Sequence, residues 1–347
     1  KMDKEQILNS IFDKLTGNID DDFKIVLDEA EHFRKLEQFE MMKDVIYLLE
    51  RKYGELGKQK LINAAQDNIK KRKELYKEMV NYEKNKEFMK AQEIIVKLID
   101  TFPIKRPMKE NDAIYSFNNL FEHMYYLLNY NAERKNIIKL EEPVANYYFH
   151  LGFCLFNLED YEEVIDVLDK SLELNPVQVD SVLLQAEAYY KLGYTNKFLD
   201  NIDRALLDAT NKFQLANSYF LLAKYYFDLC DKETAYACCI LSRNFVITKE
   251  LDSLFEEVKK MNGENLDFKD LPKLQEILKS HKIQFGPSPK VLTTLKKLLQ
   301  DPKTKESLPI YYYFLNMAYD LTHDFKLKEE LDKLKKSLEQ VKFKKTE

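Results

Sequence analysis

Turn-forming residues are scarce in this chain: 347 residues hold only 7 Gly and 9 Pro. With 45% hydrophobic and 33% charged residues, the remainder is well suited to amphipathic helices. Pro103, Pro143, Pro176 and Pro309 fall at segment edges, where a missing N–H and a fixed φ interrupt a helix. Cysteine is sparser still, with four residues. Cys154, Cys230, Cys238 and Cys239 have no C-x-x-C spacing and lie in apolar helical segments, so buried free thiols are expected, with a disulfide as the alternative. No uncharged apolar run of the roughly 18 residues that a membrane helix needs occurs. The start, Met2-Asp3-Lys4-Glu5, is polar, and the apolar stretch after it is too short for a secretory h-region. A cytoplasmic protein is expected. A formal charge of −5 provides no field to gather nucleic acid or anionic lipid, so neither is an expected partner.

Catalytic signatures are missing as well: there is no P-loop, no HExxH helix, no GxSxG elbow and no GxGxxG turn. No enzyme, cofactor or metal is expected. The histidines are scattered, and His32, with Asp28 and Glu29 four and three residues before it, reads as a surface ion pair, since three such groups leave coordination incomplete. Two basic clusters, Lys70-Lys71-Arg72-Lys73 in a long helix and Lys342, Lys344 and Lys345 at the tail, read as solvated charge.

What is present is internal repetition. The clearest unit runs from Ala145 through Tyr148, Leu151, Gly152 and Leu155, then Tyr161, Val164, Leu168, Ser171 and Pro176. This resembles the tetratricopeptide repeat, whose first helix carries an aromatic, then Leu-Gly, then a large residue, with Tyr148 standing where the family usually has Trp. A shift of about 34 residues, the period of that family, leads from Ala145 to Val179 and lands on Ala186, Tyr189, Gly193, Phe198, Ile202 and Ala205. A third unit starts near Ala216 with Tyr219, Leu222, Ala223, Tyr226, Ala235, Cys239 and Ser242; its late arrival implies a longer connection. Upstream, Met79, Tyr82, Phe88, Ala91, Ile95, Leu98 and Pro103 fit the same template, as do Ala30, Phe33, Phe39, Met42, Ile46 and Leu49.

The resemblance implies an all-α, right-handed α-solenoid of antiparallel helix pairs, because a single pair cannot bury both faces alone. Four stretches are expected: degenerate pairs over 1–103, a divergent helix pair over 104–144, three clear repeats over 145–249, and further helices with a cap over 250–347. The divergent pair rests on Phe117, Leu120, Phe121, Met124, Tyr125 and Leu128. In the last stretch Leu251, Leu254, Phe255 and Val258 keep helical spacing, Ser288-Pro289 reads as an N-cap with a first-turn proline, and Ile283 to Pro289 reads as a linker. A final pair would set Phe314, Met317, Ala318 and Leu321 against Leu331, Leu334, Leu338 and Val341. The order of these parts resembles bacterial multi-repeat tetratricopeptide proteins.

The resemblance also implies where a partner binds: the concave wall, at positions two, five, nine, twelve and thirteen of each first helix. In the three clear repeats these are Asn146, Phe149, Phe153, Phe156 and Asn157; Asp180, Leu183, Glu187, Tyr190 and Lys191; and Asn217, Phe220, Lys224, Phe227 and Asp228. The helix from Ala145 to Phe156 is therefore apolar on two faces, and the second is either covered by the chain itself or open for binding. The groove would take an amphipathic helix or extended peptide, with Asn157, Glu187, Lys191 and Lys224 supplying polar selectivity. The family's clamp for a C-terminal carboxylate needs Lys at position five and Asn at nine; here the pairs are Phe149 with Phe153, Leu183 with Glu187, and Phe220 with Lys224, so chaperone tails are not expected. A protein- or peptide-binding scaffold or adaptor is the primary expectation. The second is a peptide-sensing regulator of the bacterial tetratricopeptide type without its own DNA-binding domain, since about twenty residues before the first pair are too few for a helix-turn-helix.

Overall fold

The computed structural model describes residues 3–102, 111–130, 135–262 and 271–343. Pro103, Lys344 and Lys345 lie outside these, as do the side chains of Leu338, Val341 and Lys342. The chain divides into two compact units, Lys1–Asp112 and Ala113–Glu347.

Unit 1 begins with α1 (Lys4–Asp13), opened by a capping box between Asp3 and Gln6, and α2 (Ile19–Lys35), capped by Asn18. α3 (Phe39–Tyr53) packs against α2 through Val26, Ala30, Phe33, Val45, Leu48 and Leu49. The pairing is fixed by one buried carboxylate. Asp22 accepts hydrogen bonds from Thr16 N, from Thr16 Oγ1 at 2.9 Å, from Gly17 N at 3.1 Å and from Tyr53 Oη at 2.6 Å, with Lys52 Nζ at 3.2 Å. Burial alone would push its carboxyl up; the bonds from Tyr53, Thr16 and Gly17 outweigh that and hold it well below the usual carboxylate range.

The expected long helix is α4 (Glu55–Lys84), whose far end pairs with α5 (Phe88–Asp100) through Met79, Ala91, Ile95 and Leu98. At its start, a Cβ on Gly57 would lie 2.3 Å from the Leu49 carbonyl oxygen, so α3 and α4 cross here only because this residue has no side chain. One expectation for α4 needs correcting. Arg72 is not solvated charge: it is buried, donating to Thr101 Oγ1 at 2.6 Å and Leu98 O at 2.8 Å, and it ties the helix to the end of α5. Glu29 pairs with Lys14 at 2.6 Å, and His32 lies edge-on to Phe33.

Unit 2 departs from expectation at its start. In place of a divergent helix pair, β1 (Asp112–Tyr115) and β2 (Asn136–Lys139) form a two-stranded ribbon around one helix, α6 (Leu120–Asn129). The helical spacing from Phe117 to Leu128 is real, but only one helix uses it; Ile137 and Ile138 favour the strand instead.

Three hairpins follow: α7 (Val144–Asn157) with α8 (Tyr161–Leu174), α9 (Val179–Lys191) with α10 (Thr195–Asp208), and α11 (Lys212–Asp228) with α12 (Lys232–Phe245). The first helices pack side by side, α9 touching both α7 and α11. Ser171 Oγ donates to Ala145 O at 2.8 Å and Ser242 Oγ to Ala216 O at 2.7 Å, the same tie in the first and third hairpins. A Cβ on Gly152 would stand 2.8 Å from Leu168, which explains the small residue at that crossing. The late start of the third unit is absorbed inside a helix: α11 begins at Lys212, capped by Asn211, so the extra residues form an added turn rather than a longer connection.

The same turn closes five hairpins across both units. The second residue after the first helix is left-handed, Glu37 (φ 59°), Lys86 (61°), Glu159 (65°), Gly193 (78°) or Cys230 (58°). The next N–H then reaches back five residues, as Gln38 to Phe33 O at 3.0 Å and Asp160 to Leu155 O at 3.0 Å. This conformation places Cys230 in the turn and exposes it, against the expectation of four buried thiols; Cys154, Cys238 and Cys239 are buried, and all four are free.

The remaining helices are α13 (Lys249–Asn262), α14 (Leu271–Ser280), α15 (Pro289–Gln300), α16 (Pro302–Glu306), α17 (Leu308–Thr322) and α18 (Phe325–Phe343). Leu251, Leu254, Phe255 and Val258 are buried on α13, and Ser288 caps α15 ahead of Pro289 as expected. Helices α17 and α18 pair, burying Phe314, Ala318, Leu321 and Leu331. The stretch from Ile283 to Pro289 joins helices but is not a loose linker. Tyr219 Oη donates to Gln284 O at 2.7 Å and accepts from Gly286 N at 2.8 Å, while Gln284 Nε2 donates to Leu206 O at 2.9 Å. Beside it, Asp208 accepts from Tyr125 at 2.5 Å and Tyr130 at 2.7 Å and lies 3.3 Å from Lys290, fastening α6 and α15 to the end of α10.

Candidate functional site

The first helices of the three hairpins differ in how much of their surface is packed: α9 is buried all the way round from Ser181 to Ala186, and α11 is buried over much of its length. On α7, Val144, Ala145, Gly152 and Leu155 are buried, and Phe149 and Phe153 pack against the cluster of Leu155, Val164 and Leu168. Phe149, Phe153 and Phe156 are each half-buried, with Phe149 and Phe153 ring centroids 6.5 Å apart and Phe156 edge-on to Tyr161. The second apolar face is thus partly covered by its own hairpin and partly accessible.

The repeat numbering assigns equivalent positions to the three first helices, of which α9 touches both α7 and α11. Position two brings Asn146, Asp180 and Asn217; position nine, Phe153, Glu187 and Lys224; position twelve, Phe156, Tyr190 and Phe227. Tyr190 Oη donates to Asp228 on the next helix, and Lys224 Nζ lies 5.7 Å from the centre of the Phe220 ring. Asn157, Lys191 and Asp228 are exposed; Asn146, Glu187, Tyr190, Phe220, Lys224 and Phe227 are half-buried. Leu183 is the exception. It is 2% exposed and belongs to the core that includes Phe121 and Tyr125, so it is not available as a groove contact.

The charged groups have distinct surroundings. Glu187 is pushed up by desolvation, opposed by Lys224 and Lys191. Asp180 is exposed yet also pushed up by desolvation, countered only by a bond from Gln214 Nε2 at 3.2 Å. Gln214 stands in the added first turn of α11 and is itself held by Thr210 N at 2.9 Å, so the insertion in the third unit supplies the neighbour of Asp180.

Glu122 of α6, close enough to Asp180 to feel its charge, is 4% exposed and accepts from Asn118 N and Asn175 Nδ2, both at 2.8 Å and both on Oε2. Desolvation pushes its carboxyl up to about 7 against those two bonds, and Asp180 adds to the rise. Nothing in the repeat pattern points to Glu122, Gln178 or Gln214, because they come from α6, a connection and an inserted turn. Their nearest sequence signal is an isolated acid or amide at the edge of an apolar helix.

The arrangement offers aromatic faces, amides and carboxylates along three adjacent helices. Among the described residues, no group of three or more His, Cys, Asp or Glu is placed to hold a metal, and no helix is long and apolar enough to cross a membrane. In comparison with known families, the sequence model described as Tetratricopeptide repeat matches residues 145–176, which are α7, α8 and the turn beyond. No curated protein matches the chain.

Proposed function

We propose that this chain, which contains a tetratricopeptide repeat at residues 145–176, is a protein- or peptide-binding scaffold or adaptor whose partner lies on the first helices of its three hairpins. A repeat of this kind supports protein–protein interaction, and the finer assignment rests on one observation. Residues at positions two, nine and twelve of α7, α9 and α11 would form rows across the three hairpins, and Phe149, Phe153 and Phe156, although packed against the cluster of Leu155, Val164 and Leu168, stay half-accessible. Rows of aromatics with interspersed charge suit a peptide, whose side chains gain area on the rings and direction from the polar groups. The right-handed winding of a tetratricopeptide superhelix belongs to this reading, as does a cytoplasmic setting, which the four free thiols favour.

Affinity purification from the native cell with mass spectrometry would identify the partner, and Phe153→Glu is its control. The variant should lose the partner while its thermal melt stays close to that of the parent. Retained capture, or loss accompanied by unfolding with Phe156→Ala fully active, would remove the groove from the account.

A further inference from the structure

Asn175, in the connection from α8 to α9, is fully buried, and the two edges of its amide differ in what they meet. Nδ2 donates to Glu122 Oε2 at 2.8 Å, whereas Oδ1, also buried, accepts no hydrogen bond among the described residues. A buried acceptor without a donor costs stability, so it calls for a partner. Turning the amide over gives no relief, because its oxygen would then face the carboxyl group of Glu122. The oxygen and nitrogen of a planar amide lie about 2.2 Å apart, so Oδ1 stands within about 5 Å of Glu122 Oε2. The Glu122 carboxyl, within that reach, becomes a donor once it carries a proton.

We propose that Glu122 and Asn175 form a proton-operated latch: with the proton on Oε1, the acid donates to Asn175 Oδ1 while Oε2 accepts from Nδ2, and loss of the proton opens this two-bond pair and loosens the start of α6 from the connection before α9. The latch is a property of unit 2 itself and does not depend on the groove reading above. Burial pushes the carboxyl up to about 7, and Asp180 on α9 adds like charge, against the bonds from Asn175 and Asn118. Tyr313 on α17 is another titratable group beside it, its hydroxyl bonded to Asn119 Oδ1 at 3.3 Å. Elsewhere around α6, Asp208 of α10 and Lys290 of α15 engage Tyr125 and Tyr130, and Lys139 of β2 bears on His123. Among the described residues no cation forms an ion pair with Glu122 that would hold it charged. The pair is therefore closed below about pH 7 and opens as pH rises through that value. Because Asp208 holds Tyr125 and Tyr130 by separate bonds, the loosening is confined to the first turn of α6 and the residues before it. Ser116 N, which donates to Leu174 O at 2.8 Å, is the amide best placed to report it.

Hydrogen exchange on the full chain at about pH 6, pH 7 and pH 8, each rate divided by its intrinsic value, reads the latch directly. Protection over residues 116–122 and 175–178 should fall about tenfold between the last two conditions, a decade per pH unit once the proton is lost. Residues 125–129 and α10 should keep theirs. Glu122→Gln, whose NH2 can donate to Asn175 Oδ1 in the proton's place, should stay fully protected throughout. An infrared titration of the parent chain, independent of how the variant folds, should lose a protonated-carboxyl band with its midpoint within about one pH unit of the exchange change. Protection in the parent that ignores pH, an equal fall in Glu122→Gln, or the lack of such a band under the most acidic condition overturns the latch.

Discussion

Replacing Glu122 by Gln should flatten the dependence of unit 2 stability on pH. The folded carboxyl titrates at about 7 against an ordinary value of 4.5. A raised folded value means that this group's contribution is fully present below about pH 4.5, declines as pH rises and is gone above about pH 7. At about 1.4 kcal/mol per pH unit, the interval amounts to roughly 3 kcal/mol. Glutamine suits the site, because Asn118 N and Asn175 Nδ2 both donate to the single oxygen Oε2, which an amide carbonyl can replace. Urea midpoints at about pH 5 and about pH 8 should therefore fall strongly for the parent and much less for Glu122→Gln, which becomes the more stable of the two at the higher pH. Tyrosine fluorescence can report the transition, since the chain has no tryptophan. Glu187, also pushed up, acts in both proteins and cancels in the comparison. Equal slopes in the two proteins would refute the reasoning.

Asp22 has the opposite sign: its depressed carboxyl stabilises unit 1 above the ordinary carboxylate range and loses that contribution as pH falls below about 4. Asp22→Ala, which strands the donors of Thr16, Gly17 and Tyr53, should cost about 3 kcal/mol in a urea melt. Gly57→Ala should destabilise unit 1 by about 2 kcal/mol or more despite its better helix propensity, because the clash is with backbone; an unchanged melting temperature would contradict the crossing described. Glu159→Gly should stabilise the first hairpin of unit 2 by about 1 kcal/mol, since a left-handed residue with a Cβ carries that strain. A thiol reagent should modify Cys230 rapidly and the other three only on unfolding, with Cys238 further protected because burial pushes its thiol well up.

Much of the fold is visible in residue spacing because each helix pair is a local object. Tyr148, Gly152 and Ser171 lie within one hairpin, and their spacing alone carries the crossing, the tie to Ala145 and the turn at Glu159. The Ser288 cap and the α13 face are legible for the same reason. What cannot be seen is long-range. Whether Phe117 to Leu128 makes one helix or two depends on the pairing of β1 with β2, a contact that no periodicity announces. Leu183 occupies a groove position in the repeat pattern, but tertiary packing buries it. Arg72 reads as one cation among four until the end of α5 supplies Leu98 O and Thr101. Glu122 matters only because α6 buries it against Asn175, a residue far away in the sequence.

Hydrogen–deuterium exchange with and without the captured partner tests the central claim most directly, because it reports every helix of the native chain at once. Binding on the first helices predicts added protection along α7, α9 and α11, with α8, α10 and α12 little changed. Protection confined to α8, α10 and α12, or to α4, would contradict it.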